Sequence, residues 1–241
     1  MNNETSSTLK CDSISLSNEE AVKKVLVESV FGLWDVVNKL TSLRPSKRDR
    51  YRVTIFGAAR PEADTELYQE VKRVAAALTE LGCDIVTGGG PGLMQAANEG
   101  AASIPTSGER RSVGIRVDLP FEQEVNAFVT QAHEHQTFFT RLHHFVLASD
   151  AFVVAPGGIG TLLETMMIWQ LLQVGHLKET PLILVGNMWP GLVEWARTEM
   201  SRYDPPLANP VDFSIPKCVS NADEAIAEIR RHQEQWRRGT A

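Results

Sequence analysis

Ala151-Phe152-Val153-Val154-Ala155-Pro156-Gly157-Gly158-Ile159-Gly160-Thr161-Leu162-Leu163-Glu164 carries an apolar run of strand type through a glycine turn into a helix start. A strand passing directly into a helix is the repeating step of a parallel α/β sheet. The turn aims backbone N–H groups and the positive helix end at whatever lies above it, which makes an anion site whose usual guest is phosphate. Glu164, one helical turn past Thr161, faces the same space. A phosphate cradle with an acid on its rim points to chemistry beside the phosphate.

Outward from this stretch the alternation continues. Toward the N-terminus the pattern predicts strands over 52–56, 83–86 and 113–117, and helices over 65–81, 93–102 and 137–148, with a long loop through Pro120 and Asn126. Toward the C-terminus the helix from Thr161 runs to Val174, followed by a strand over 182–185, a helix near 192–200 and a closing helix over 222–236. Such an order implies an α/β fold, a doubly wound parallel sheet covered on both faces that binds ligands at the carboxyl ends of its strands. Ahead of it, polar residues 1–16 read as a disordered tail. Ser17-Asn18-Glu19-Glu20 reads as a capping box, and Val22, Val25, Leu26, Val30, Leu33, Val36, Val37 and Leu40 follow at helical spacing. With a basic linker through Arg44, Pro45, Lys47, Arg48 and Arg50, that helix occupies 17–50, and the α/β domain spans 51–241. The apolar stripe of the helix is expected to pack on the domain or across a homodimer interface.

Composition narrows the function classes. The chain has 241 residues, 43% of them hydrophobic and 22% charged, which suits one substantial core in a soluble globular protein. A net charge of −6, without a long basic block, argues against nucleic acid as a partner. Neither a leader-type N-terminus nor an apolar run of membrane-spanning length is present, so a cytoplasmic protein with no membrane partner is expected. Cys11, Cys83 and Cys218 are scattered and odd in number, and read as reduced structural thiols.

Three glycine features fall at predicted carboxyl ends: Gly57, then Gly88-Gly89-Gly90-Pro91-Gly92, then the Gly157 loop. Each alone could serve only a tight turn, but three at one rim point to a ligand. A dinucleotide fingerprint would need a third glycine where Leu93 and Leu163 stand, which argues against NAD or FAD. No lysine occurs between Lys72 and Lys178, so this region holds neither a Walker lysine nor a pyridoxal Schiff-base lysine, and no cofactor is expected. Thr137-Phe138-Phe139-Thr140-Arg141 opens the helix before the strand that enters the Gly157 loop, so Arg141 is expected within reach of that strand's ligand end, the alternative being an exposed surface arginine. His133, His135, His143 and His144 invite a metal reading, but the first two are expected in a loop and the last two point along different helical directions, so no metal is expected. Met166, Met167 and Trp169 read as core, part of which lines a base pocket.

Gly88 to Met94, Phe138-Phe139-Thr140-Arg141 and Pro156 to Glu164 together resemble the signature of the LOG family, in its order and spacing, and the resemblance extends from about Tyr51 to Trp195. These are nucleoside 5′-monophosphate phosphoribohydrolases, often labelled lysine decarboxylase-like. The resemblance implies a usually dimeric Rossmann-like enzyme that splits AMP-like nucleotides into free base and ribose 5-phosphate. It places the catalytic pair on Arg141 and Glu164, and the phosphate-binding residues on Gly157, Gly158, Gly160 and Thr161. Gly57, Gly88, Gly89 and Gly90 complete the expected substrate-binding set. Leu142 stands where many relatives carry lysine, and Leu163 where many carry an acid, which bears on substrate preference or rate. A non-catalytic carrier of nucleotide or molybdenum cofactor on the same fold is the alternative; retention of both Arg141 and Glu164 favours the enzyme.

Overall fold

The computed structural model describes residues 17–41, 49–105, 112–117 and 125–239. The expected tail, Cys11 and linker residues 42–48 lie outside them. Residues 1–47 and 48–241 are two separate compact units. The first contributes helix α1, Glu19–Thr41, with Glu19 and Glu20 in the first turn suited to the positive helix end. Its cap is Asn18, whose side-chain oxygen accepts from the Ala21 amide at 3.1 Å, one residue later than a Ser17 capping box would place it.

In the second unit the chain runs β1 (Arg52–Phe56), α2 (Glu66–Glu80), β2 (Asp84–Thr87), α3 (Leu93–Ser103), β3 (Ser112–Val117), β4 (Gln131–His135), α4 (Phe138–Ala148) and β5 (Ala151–Val154). It continues through α5 (Ile159–Gln173), β6 (Leu182–Val185), α6 (Met188–Ser201), a 3₁₀ turn (Pro210–Ser214), β7 (Pro216–Val219) and α7 (Ala222–Arg238). The sheet is parallel throughout, in the order β4-β3-β2-β1-β5-β6-β7. β1 therefore lies mid-sheet, and the order reverses between it and β5, with Thr54 opposite Phe152 and Ile55 opposite Val153.

Alternation along each strand sends side chains to two cores. Val53, Ile55, Ile85, Val153 and Ile183 face α2, α3 and α7, where Tyr68, Leu78, Ala97 and Ile229 close the packing. Phe56, Val86, Ile115, Phe152 and Leu184 face α4, α5 and α6, against Phe145, Ile168 and Trp189. Both faces are thus covered, as a parallel sheet requires. Cys83 and Cys218 are free thiols, and burial pushes Cys83 up to about 12, so it stays protonated at neutral pH.

Two strands depart from the sequence reading. His133 and His135 lie on β4, not in a loop, pairing in register with Ile115 and Val117. Gln131-Ala132-His133-Glu134-His135 has no apolar alternation because it is a half-exposed edge strand whose main determinant is backbone pairing with β3. β7 is the opposite edge, only 4 residues long and opened by Pro216, which has no amide to donate.

Candidate active site

β2, β1 and β5 are adjacent and parallel, so Gly88 to Gly92, Gly57 and Gly157 to Gly160 emerge side by side where the strand order reverses. The Ala58 amide donates to the Pro156 carbonyl at 3.1 Å and the Leu93 amide to the Ala58 carbonyl at 2.8 Å, tying the three loops together. That closeness explains Gly92, whose φ is 68° and whose absent Cβ would come within 2.5 Å of the Ala59 carbonyl carbon. Gly57 is accounted for in the same way, since a Cβ there would meet that of Leu93 at 2.8 Å.

The Gly157 turn is built differently. A Cβ on Gly157 would overlap the Thr161 side chain, whereas one on Gly158 or Gly160 would meet nothing within 4 Å. Gly158 caps α5 without a side-chain hydrogen bond. Gly158 and Gly160 thus front open space at the start of α5, whose first turn has no side-chain cap, an arrangement suited to an anion. Behind them Thr161 is buried, and the Thr165 hydroxyl donates to its carbonyl at 2.7 Å.

Arg141 lies in the first turn of α4, which Thr137 caps by accepting from the Thr140 amide at 3.2 Å. The sheet brings it to α5: Arg141 Nη1 is 3.5 Å from Glu164 Oε1, with both residues only 9% exposed. Arg141 Nε donates to the Ile115 carbonyl at 2.9 Å, and its guanidinium carbon lies 5.4 Å from the Phe145 ring centroid. On the remaining side its Nη2 abuts Gly88 so closely that a Cβ there would overlap it and Met94 Sδ. A guanidinium held by β3, α5 and the Gly88 loop is a fixed donor fork beside a buried carboxylate, near the start of α5.

Leu142 is buried and Leu163 is exposed on the rim next to Glu164. Trp169 is core, its indole N–H donating to the Asp212 carbonyl at 2.8 Å, while Met166 is exposed. The histidines assemble more closely than their sequence positions suggest: His135 Nε2 is 2.8 Å from His144 Nδ1, and the His133 ring centroid is 4.6 Å from that of His144. Among the described residues no group of three or more His, Cys, Asp or Glu side chains could hold a metal ion. Burial, the neighbouring His133 and His135, then Arg52 and His143, depress His144 to about 4. No helix among the described residues is long and apolar enough to cross a membrane. Sequence reading missed Asn98 and Asn126, which brace the Gly88 to Gly90 loop from 28 residues apart. No motif marks them.

The fold is Rossmann-like, with Arg141, Glu164 and three glycine loops gathered at the switch point of the sheet. The family model described as possible lysine decarboxylase matches residues 94–229, and the chain belongs to that family, the LOG-like group its motifs resemble. No curated protein matches the chain. Among solved structures, the molybdenum cofactor binding protein from the phototrophic bacterium Rippkaea orientalis is 19% identical with a TM-score of 0.55, over 77% of this chain and 98% of its own. The molybdenum cofactor carrier protein from Chlamydomonas reinhardtii is 18% identical with a TM-score of 0.54, over 77% of this chain and 99% of its own. At such identities the likeness is one of fold.

Proposed function

We propose that the protein is a cytoplasmic hydrolase that cleaves the N-glycosidic bond of nucleoside 5′-monophosphates, AMP or an N6-modified AMP, giving free base and ribose 5-phosphate. The observation that carries this reading is the buried Arg141–Glu164 pair, 3.5 Å apart, beside the uncapped start of α5. The phosphate docks on the α5 amides with Gly157, Gly158, Gly160 and Thr161 around it, remote from the bond that breaks, so its binding energy can fix the ribose in a reactive geometry. As the C1′–N bond opens, its electron pair leaves with the base and positive charge grows on the ribose. The Glu164 carboxylate stabilises that charge and takes a proton from the water whose oxygen bonds to C1′; the proton passes to the departing base. Arg141 places the ribose against the acid. No metal or cofactor is required by this chemistry.

A homodimer belongs to the same reading. Ile159, Leu163 and Met166, at one-turn spacing on α5, are exposed together with Phe138 and Phe139 of α4. An apolar face of that kind on the rim of the site suits a second copy of the chain.

Incubation with a panel of nucleotides, scored for free base, tests the reaction. AMP is expected to release adenine, and adenosine to react far more slowly because it leaves the α5 amides empty. Equal rates would remove the phosphate-anchoring step. Tight nucleotide binding without release of any base would favour the carrier alternative.

A further inference from the structure

The Gly88 to Gly90 loop lies outside helix and strand and is packed against a charged guanidinium, so its polar backbone must be satisfied by other segments. Side chains from distant segments do this. The Gly89 amide donates to Thr87 Oγ1 at 2.9 Å. Asn126 Nδ2 donates to the Gly89 carbonyl at 3.1 Å, to the Gly90 carbonyl at 3.0 Å and to Asn98 Oδ1 at 3.0 Å. The Asn126 amide itself donates to the Gly89 carbonyl at 3.0 Å, and its Oδ1 accepts from the Phe128 amide at 3.2 Å. Asn98, fully buried on α3, also accepts from the Thr87 hydroxyl at 2.7 Å and donates to Ser112 Oγ at 2.7 Å. Every side-chain atom of Asn126 that can hydrogen-bond is thus spent on the loop, its own turn or the Asn98 bridge.

We propose that Asn126 is a positioning residue that holds the Gly88 to Gly90 loop against the Arg141 guanidinium, and so keeps Arg141 in register with Glu164. The inference rests on the hydrolase reading for its kinetic consequence only. The mechanical link is the contact at Gly88, where there is no room for even a Cβ between the loop and Arg141 Nη2. If the loop moves outward, that side of the guanidinium is released, while its bond to the Ile115 carbonyl remains as a pivot. The α5 amides belong to a different loop that Asn126 does not touch, so phosphate anchoring is independent of it. The essential chemistry is donation: a primary amide shares its two N–H protons among three acceptor oxygens, one N–H being bifurcated, which a carboxylate of the same shape cannot do.

The test uses the full chain. In Asn126→Ala, kcat for AMP is expected to fall about tenfold or more, with KM rising as the displaced Arg141 loses its hold on the ribose, while inhibition by inorganic phosphate, which needs only the α5 amides, stays within about twofold. Asn126→Asp fills the same space and keeps the Phe128 bond, but sets a carboxylate against three oxygens, so it should be no better than alanine; a role in filling space alone would make it better. Hydrogen exchange reads the same claim without turnover: the amides of Gly88, Gly89, Gly90 and Gly92 should exchange faster in Asn126→Ala while those of the α5 first turn are unchanged. Wild-type kcat in either variant, or rescue by aspartate, overturns the kinetic claim. Unchanged exchange at 88–92 overturns the positioning itself. A parent protein that releases no base from any nucleotide defeats the hydrolase reading separately, and the exchange result still decides what Asn126 does.

Discussion

Glu164 and Arg141 differ in what each would lose on substitution. If Glu164 stabilises charge present mainly in the transition state, Glu164→Gln should lower kcat by roughly two orders of magnitude or more while AMP affinity stays nearly constant. Stopped-flow binding and steady-state turnover separate these, and a folded Glu164→Gln protein with full activity would end the assignment. Arg141→Ala should weaken both binding and turnover, and should also lower the melting temperature, because it leaves the Ile115 carbonyl without its donor and Glu164 buried without its cation. Gly88→Ala puts a methyl where Arg141 Nη2 and Met94 Sδ lie. Met94 is flexible and can yield, whereas the guanidinium is held on three sides. Its expected result is a loss of kcat/KM of about tenfold, checked by kinetics with circular dichroism as the folding control.

At the scale of elements, β4 and α4 together create a pH liability. Burial, then the neighbouring imidazoles, hold His144 and His135 below their ordinary value, His144 to about 4. In the unfolded chain the same groups titrate near 6.5. Between those two values the unfolded state binds more protons than the folded one, so stability rises with pH through that window and is lost as pH falls from about 6.5 toward 4. Melting curves taken across this range should therefore decline on the acid side, and His144→Gln should flatten the decline; an unchanged slope would show that the imidazole contact has no such effect. The elements that carry this liability were only half legible. α4 was read correctly from its Thr137 start and apolar spacing, but β4 is five polar residues, and edge strands are specified by the neighbour they pair with more than by their own pattern. β7 was hidden for a related reason, being four residues opened by a proline.

For the whole molecule, the expected homodimer is testable through the exposed α5 face. Met166 is 38% exposed and takes no part in the two cores, so Met166→Lys should leave the melting curve of the single chain intact. Light scattering should then report a shift from two chains toward one, and an unchanged mass would remove this face from the interface. The sequence by itself determined the alternation of strands and helices, the glycine turn into α5, and the residue types at Arg141 and Glu164, because each depends on local spacing, turn conformation and helix-end electrostatics that adjacent residues specify. Only the tertiary structure decided that β2, β1 and β5 are neighbours, that Arg141 reaches Glu164 across two helices while bonded to β3, and that Asn98 and Asn126 secure the Gly88 loop. Those contacts join segments tens of residues apart, and the order in which a parallel sheet stacks its strands is set by which faces bury together, which no local pattern encodes.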